Sequence, residues 1–401
     1  MSRISNERES DEPADPTVAV ERFLLRCDLD KLIQLLIADG FDVVGPTIDQ
    51  EAIVYRELQS ADDLPIGWTD LQEPGKYRLQ RRDDKAAFGY VVGPHSWKKF
   101  LFPPVSIVAS ADRTESGWTM NTPVADHRRF AFLGVRACEL AAMRIQDQVF
   151  AGGPFVDPVY HKRRSEAFIV AVNCTQAAST CFCTSMNSGP ECRSGFDLAL
   201  TEISEGFLIT SGSQSGVDLM FRLPLVEATE ARCQQAASAR RRAEEQVTKR
   251  MDTNQLRELL MNNLRHPHWD DVATRCLSCS NCTMVCPTCF CSSVSEVTDL
   301  AGDHVDRQRT WDSCFNIDFS YLNGVPVRNS IMSRYRQWMT HKLSTWHDQF
   351  GTSGCVGCGR CVTWCPVGID LTQEVAAIRS TDGQQKRELT EVLSHTDNEG
   401  A

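Results

Sequence analysis

Two cysteine runs constrain this 401-residue chain more than any other feature in it. The first is Cys276-Leu-Ser-Cys279-Ser-Asn-Cys282-Thr-Met-Val-Cys286-Pro287, and the second is Cys355-Val-Gly-Cys358-Gly-Arg-Cys361-Val-Thr-Trp-Cys365-Pro366. Both follow Cys-x2-Cys-x2-Cys-x3-Cys-Pro. Three thiolates spaced by two residues can wrap one loop around three irons of a cubane, while the fourth points away towards a second cubane. The expected pairing is therefore crossed. Cys276, Cys279 and Cys282 should share one [4Fe-4S] cluster with Cys365, and Cys355, Cys358 and Cys361 should share another with Cys286, the metal in each case being iron. Proline after the fourth cysteine turns the chain away with one fewer N–H to satisfy. Gly354, Gly357 and Gly359 let the backbone approach sulfur closely. Zinc also accepts four thiolates, but usually as two separated pairs rather than one run, so a zinc-stabilised binding module is the weaker reading. Between Cys286 and Cys355 lie 68 residues that look helical, which predicts a larger and mostly helical ferredoxin-like domain.

Composition narrows the setting. Eighteen cysteines in a chain of this length do not suit a disulfide framework, since a large core needs no stapling. A net charge of −11 argues against nucleic acid as a partner. No run approaches 18 apolar residues and the first 15 are polar, so neither a membrane span nor export is expected, and the location should be cytoplasmic.

The chain is long enough for two domains. Residues 1–20 and 381–401 read as unstructured tails. In residues 21–225, Leu29, Leu32, Ile33 and Leu36 share one helical face, Gly40 stops that helix, and 41–44, 130–135 and 167–172 read as buried strands, so an α/β or α+β domain is expected. Residues 226–270 form a helical linker, rich in Ala, Arg and Glu around Arg240, Arg241 and Arg242. The dicluster domain then occupies 271–380. Ile331, Tyr335, Trp338, Leu343 and Trp346 lie close to helical spacing over 330–347, their tryptophans reading as core. Arg334, Arg336, His341 and Lys342 on that helix would offset cluster charge if it packs near one.

Cys138 and Cys174 each follow a buried strand, and Cys181 and Cys183 lie just beyond, so a sheet could bring all four together. They could hold a third [4Fe-4S] cluster or be inert buried thiols, and the sequence leaves both open. Cys289, Cys291 and Cys314 read as packing, and Cys27, Cys192 and Cys233 belong to no constellation. No dinucleotide fingerprint, Walker A loop or His-Glu-x-x-His pair is present, so no catalytic residue is assigned. An enzyme acting on its own through the N-terminal cysteines is the reading of another class.

Several segments together resemble a known family. They are Gly93-Pro94-His-Ser96-Trp-Lys98, Gly134-Val-Arg136-Ala-Cys138-Glu-Leu140, Cys181-Phe-Cys183-Thr-Ser-Met, Cys286-Pro-Thr-Cys289-Phe-Cys291, and Arg334-Tyr-Arg336-Gln-Trp338 leading to Trp364-Cys365-Pro-Val-Gly-Ile-Asp370. Over about residues 25–375 the chain is similar to the beta, iron–sulfur subunit of soluble group 3b [NiFe] hydrogenases (sulfhydrogenases), and to the related electron-transfer subunit of anaerobic sulfite reductase. Ala137 departs from a proline expected in many relatives. The resemblance implies a non-catalytic electron-transfer subunit between a flavin-containing subunit that oxidises NAD(P)H and the small and large subunits of a [NiFe] hydrogenase. Those partners, rather than this chain, decide between hydrogenase and sulfite reductase.

Overall fold

The computed structural model describes residues 21–121 and 128–382; the two tail expectations fall outside these residues, apart from 381 and 382, which are helical. The chain runs through β1 (Glu21–Leu25), β2 (Asp42–Asp49), β3 (Ala52–Glu57), β4 (Trp68–Glu73), β5 (Lys76–Arg81), β6 (Val105–Thr114) and β7 (Gly117–Asn121). It continues through β8 (Phe130–Val135), β9 (Phe168–Val172), β10 (Leu198–Ile203) and β11 (Gly206–Ser211), and later β12 (Ser292–Thr298) and β13 (His304–Trp311).

Seven of these strands form one sheet in the order β1-β11-β10-β9-β8-β2-β3. Its centre, β2, β8, β9 and β10, is parallel, and its margins are antiparallel. Every residue of β8 and β9 is buried, as expected for strands covered on both faces. One face packs on the helix Leu29–Ala38 through Leu32, Ile33 and Leu36, and the other on Trp97, Phe102, Leu140 and Tyr160. The α/β expectation for this region therefore holds.

The linker helix Glu230–Gln246 is less exposed than its composition suggests. Ala236, Ala239 and Ala243 recur on one face and are buried, which brings the helix close to the sheet at β10. After it come the helices Leu256–Asn262, His268–Arg275 and Ile331–Thr340. The last passes into a π-turn at His341–Thr345 and a further turn at Trp346–Phe350, so the helix expected over 330–347 is present with a bulge in it.

The stretch between Cys286 and Cys355 departs from the helical expectation. Its first half is the hairpin β12–β13, which joins β6 and β7 in a second sheet of order β12-β13-β6-β7. The sequence carries the reason in Val294, Val297, Val305 and Thr310, β-branched residues that favour strands, with Gly302 at positive φ in the turn. β13 thus pairs with a strand almost 200 residues earlier, so the cysteine-rich region is tied to the first region by backbone hydrogen bonds.

Candidate iron–sulfur sites

Among the described residues, three cavities are each bordered by four or more cysteines. The outer one is lined by Cys276, Cys279, Cys282 and Cys365, together with Leu277, Phe315, Tyr335 and Trp338. The middle one is lined by Cys286, Cys355, Cys358 and Cys361, with Lys342 and Arg360. The inner one is lined by Cys138, Cys174, Cys181 and Cys183, with Val91, Val92 and Val247. The structure thus brings together each group of four that the sequence suggested, including the crossed placement of Cys365 and Cys286. Cys361 borders the outer as well as the middle cavity, and Cys358 borders the middle as well as the inner one. The cavities follow one another as a row.

Local conformation explains the loops. Ser278 and Ser280 take positive φ in the first run and Gly357 and Gly359 in the second, so each loop curls around its cavity. Backbone N–H groups of Ser278, Gly357 and Ile369 donate to the sulfurs of Cys276, Cys355 and Cys365, each at 3.4 Å. A side chain at Gly357 would sit 2.7 Å from Phe182 O, and one at Gly359 would sit 2.6 Å from Thr180 O. The glycines therefore also make room for the loop that carries Cys181 and Cys183. The Phe182 N–H donates to Gly357 O at 2.9 Å and Ser188 Oγ to Val356 O at 2.6 Å, fixing the inner group against the middle one.

The inner group is assembled by topology. β8 and β9 are parallel neighbours, so their carboxyl ends deliver Cys138, in the first turn of the helix Ala137–Phe150, and Cys174 to the same edge of the sheet. Burial pushes the thiols of Cys138, Cys181 and Cys183 up, the last to about 12. Such thiols stay protonated and unreactive unless a metal draws off the proton.

The residues around the cavities fit iron–sulfur cubanes better than single ions. Among the described residues, the ligand atoms that gather in threes within 4.8 Å are those of His268, Asp271 and Glu374, not thiols. Arg275 already pairs with Glu374 at 2.9 Å there. The thiols of each cavity are spread more widely, as they would be around a cluster. Buried donors without protein partners point the same way: Tyr335 Oη and Trp338 Nε1 belong to residues lining the outer cavity, and Arg360 Nη1 to one lining the middle cavity. Sulfur acceptors there would satisfy them.

Positive charge is buried beside the middle group. Lys342 Nζ donates to Cys286 Sγ at 3.3 Å, Thr288 Oγ1 at 3.1 Å and Gly354 O at 3.1 Å. Burial opposes its charge, but the sulfurs of Cys286, Cys289 and Cys355 outweigh that and hold the ammonium well above its usual range. Of the four basic residues singled out on this helix, Lys342 reaches a ligand sulfur and Arg334 reaches Ser278 Oγ in the first loop at 3.2 Å. Arg336 instead donates to Leu264 O and His341 faces Gln349.

Arg360 joins the two regions. It is fully buried and pairs with Glu139 at 2.5 Å while donating to Gly93 O and His95 O, each at 2.9 Å. Glu139 also accepts from Tyr55 Oη, Trp97 Nε1 and Arg136 N. Desolvated charges in such a network are held by their pairing and by the hydrogen bonds around it. Sequence reading missed this pair, although the segment Gly93–Lys98 and Glu139 stood out. Glu139 and its partner Arg360 lie 221 residues apart. Of the remaining cysteines, Cys27 is exposed, Cys192 is buried and Cys233 is half-buried.

This arrangement defines an iron–sulfur protein, and residues 275–369 match the 4Fe-4S dicluster domain family. Over a longer span the chain is similar to sulfhydrogenase 2 subunit beta of Pyrococcus furiosus, with 27% identity over 340 residues that cover 84% of this chain and 92% of the relative. The two matches show the resemblance read from the sequence, that of an iron–sulfur electron-transfer chain akin to a sulfhydrogenase beta subunit. No solved structure matches. Among the described residues no helix is long and apolar enough to cross a membrane.

Proposed function

We propose that this chain is the electron-relay subunit of a cytoplasmic NAD(P)-linked [NiFe] hydrogenase, with three [4Fe-4S] clusters in a row. The outer cluster would be held by Cys276, Cys279, Cys282 and Cys365, the middle one by Cys286, Cys355, Cys358 and Cys361, and the inner one by Cys138, Cys174, Cys181 and Cys183. The row of cysteine-lined cavities, with Cys361 and Cys358 each bordering two of them, is the observation that carries this reading. Bound there, each cluster would supply one-electron transfer and nothing that takes a hydride.

The protein's own residues set the conditions. Lys342 places a buried ammonium against Cys286 and favours the more negative, reduced state of the middle site. Arg360 sits where the charges of Cys358 and Cys138 both reach it, and Glu139 anchors it in place. At the outer end Cys279 is exposed, flanked by exposed Leu277 and, across the cavity, Val367. Apolar residues around an exposed ligand suit transfer to a docked partner.

On this reading a flavin-containing subunit that oxidises NAD(P)H lies at one end and the hydrogenase small and large subunits at the other. Anaerobic sulfite reductase remains the competing assembly, while the relative's name favours hydrogenase. Purification of the complex from its host tests the choice. The isolated chain should be reduced by dithionite yet show no hydrogen-dependent NADP reduction, and the complex should show it until Cys358 is replaced by Ser. Turnover of NAD(P)H by the isolated chain would contradict the proposal.

A further inference from the structure

Cys289, Cys291 and Cys314 belong to none of the three groups, and two of them meet at the base of a hairpin. Cys291 immediately precedes β12, and Cys314 lies just past β13, with Asp312 and Ser313 between. The hairpin pairs Ser292 with Trp311, and the Asp312 N–H donates to Cys291 O at 2.9 Å, so the base of the hairpin holds the two cysteines side by side. The two thiols are neighbours there, each being the largest electrostatic influence on the other. Trp311 Nε1 pins this base to Phe102 O at 3.0 Å.

The surroundings are cationic. Lys98 is almost fully buried, with Nζ donating to Cys289 O at 3.0 Å and lying 3.8 Å from the centroid of the Trp311 ring. Among the described residues no carboxylate pairs with Lys98 or Lys342. Burial pushes the Lys98 ammonium down to about 8, and the sulfurs of Cys289, Cys286 and Cys291 work against that loss of charge. Cys314 in turn lies within electrostatic reach of Cys282 of the outer group, and Cys289 contacts Cys286 of the middle group. The pair therefore stands between two proposed cluster sites, with the buried Lys98 and Lys342 near it.

We propose that Cys291 and Cys314 form an internal redox couple that stores two electrons beside the relay, as a dithiol when reduced and a disulfide when oxidised. The inference rests on the relay reading, because the clusters are its electron source and sink. Reduction takes two electrons from the clusters, one after the other. The first enters the S–S bond, the second breaks it into two thiolates, and two protons taken from solvent give the two thiols. Oxidation returns both electrons singly and releases both protons. Lys98 and Lys342 stabilise the anionic sulfur formed on the way. The open cleft beside the pair is lined by Asp312, Ser313 and Phe315 rather than by the thiol of Cys314, which favours an internal store over a site for an external substrate.

The test uses the full chain with its iron, purified without oxygen, in oxidised and dithionite-reduced forms. Free thiols are alkylated, peptides are identified by mass spectrometry, and iron is measured on the same samples. The oxidised protein should yield the Cys291 and Cys314 peptides cross-linked, and the reduced protein should yield both alkylated. Cys314→Ser and Cys291→Ala should each keep full iron while losing a two-electron step from the reductive titration. Alkylation of both thiols in the oxidised, iron-replete protein would overturn the couple. Loss of iron from both variants would also overturn it, by making these residues ligands. A wild-type chain without iron would instead overturn the relay reading, and the pair's coupling to clusters with it.

Discussion

Cys276, Cys279 and Cys282 are gathered by one short loop, whereas Cys138, Cys174, Cys181 and Cys183 are gathered by two parallel strands and a loop packed against the second cysteine run. The two regions reach similar arrangements by different routes, and their sensitivities should differ. A loop that wraps its own cavity depends on spacing and on residues such as Ser278 and Ser280 at positive φ. A group built at the ends of β8 and β9 depends on the whole sheet, and on the buried Arg360–Glu139 pair that holds it against the middle cavity. The inner group should therefore be lost only with the fold, while the outer group should be open to local change.

The largest expected effect comes from that pair. Arg360→Met should cost about 3–5 kcal/mol, because Glu139 is left buried without its partner. Chemical denaturation of the iron-loaded chain measures this. A cost below about 1 kcal/mol would mean that the two regions are held together elsewhere. For the same reason a fragment beginning near residue 250 is a poor vehicle for counting clusters, since it lacks both Glu139 and the β6 partner of β13.

Next in size is the loss of whole clusters. Replacing Cys181 and Cys183 by Ser in the full chain should lower iron from about twelve to about eight per chain, as the loss of one cubane requires. Unchanged iron would return the N-terminal cysteines to packing. Cys286→Ser should perturb the middle site and spare the outer one, with Cys365→Ser doing the reverse. Site-resolved spectra in which Cys286→Ser damages only the outer site would falsify the crossed pairing.

A smaller change is expected at Lys342. Lys342→Met removes one buried positive charge from beside Cys286 and should lower the middle potential on the order of 100 mV, from the Coulomb energy at an intermediate dielectric. Redox titration followed by electron paramagnetic resonance reads the shift. Smallest of all, Cys27→Ser on the exposed surface should leave iron content and spectra unchanged.

How much of this is legible depends on sequence distance. The two cysteine runs are written in local spacing, and 130–135 and 167–172 are written as apolar runs, so the loops and the central strands are readable. Val294 and Val297 alternate imperfectly among Ser, Glu and Thr, and the pairing of β13 with β6 is non-local, so the hairpin reads as helix from sequence alone. The wide separation of Arg360 and Glu139 hides their pairing, although both stand beside cysteines. Lys98 stands inside a segment that carries the family resemblance, but its role needs Trp311 and Cys289 beside it. The contact of Cys291 with Cys314 appears only once the hairpin closes.

The central claim is a row of three clusters in one chain. Iron and acid-labile sulfide per chain, measured with electron paramagnetic resonance of the dithionite-reduced full-length protein, test it most directly. The account predicts about twelve irons, matched by sulfide, and spectra broadened by coupling between neighbouring reduced clusters. Zinc in place of iron, or about eight irons with all twelve cysteines intact, would contradict it.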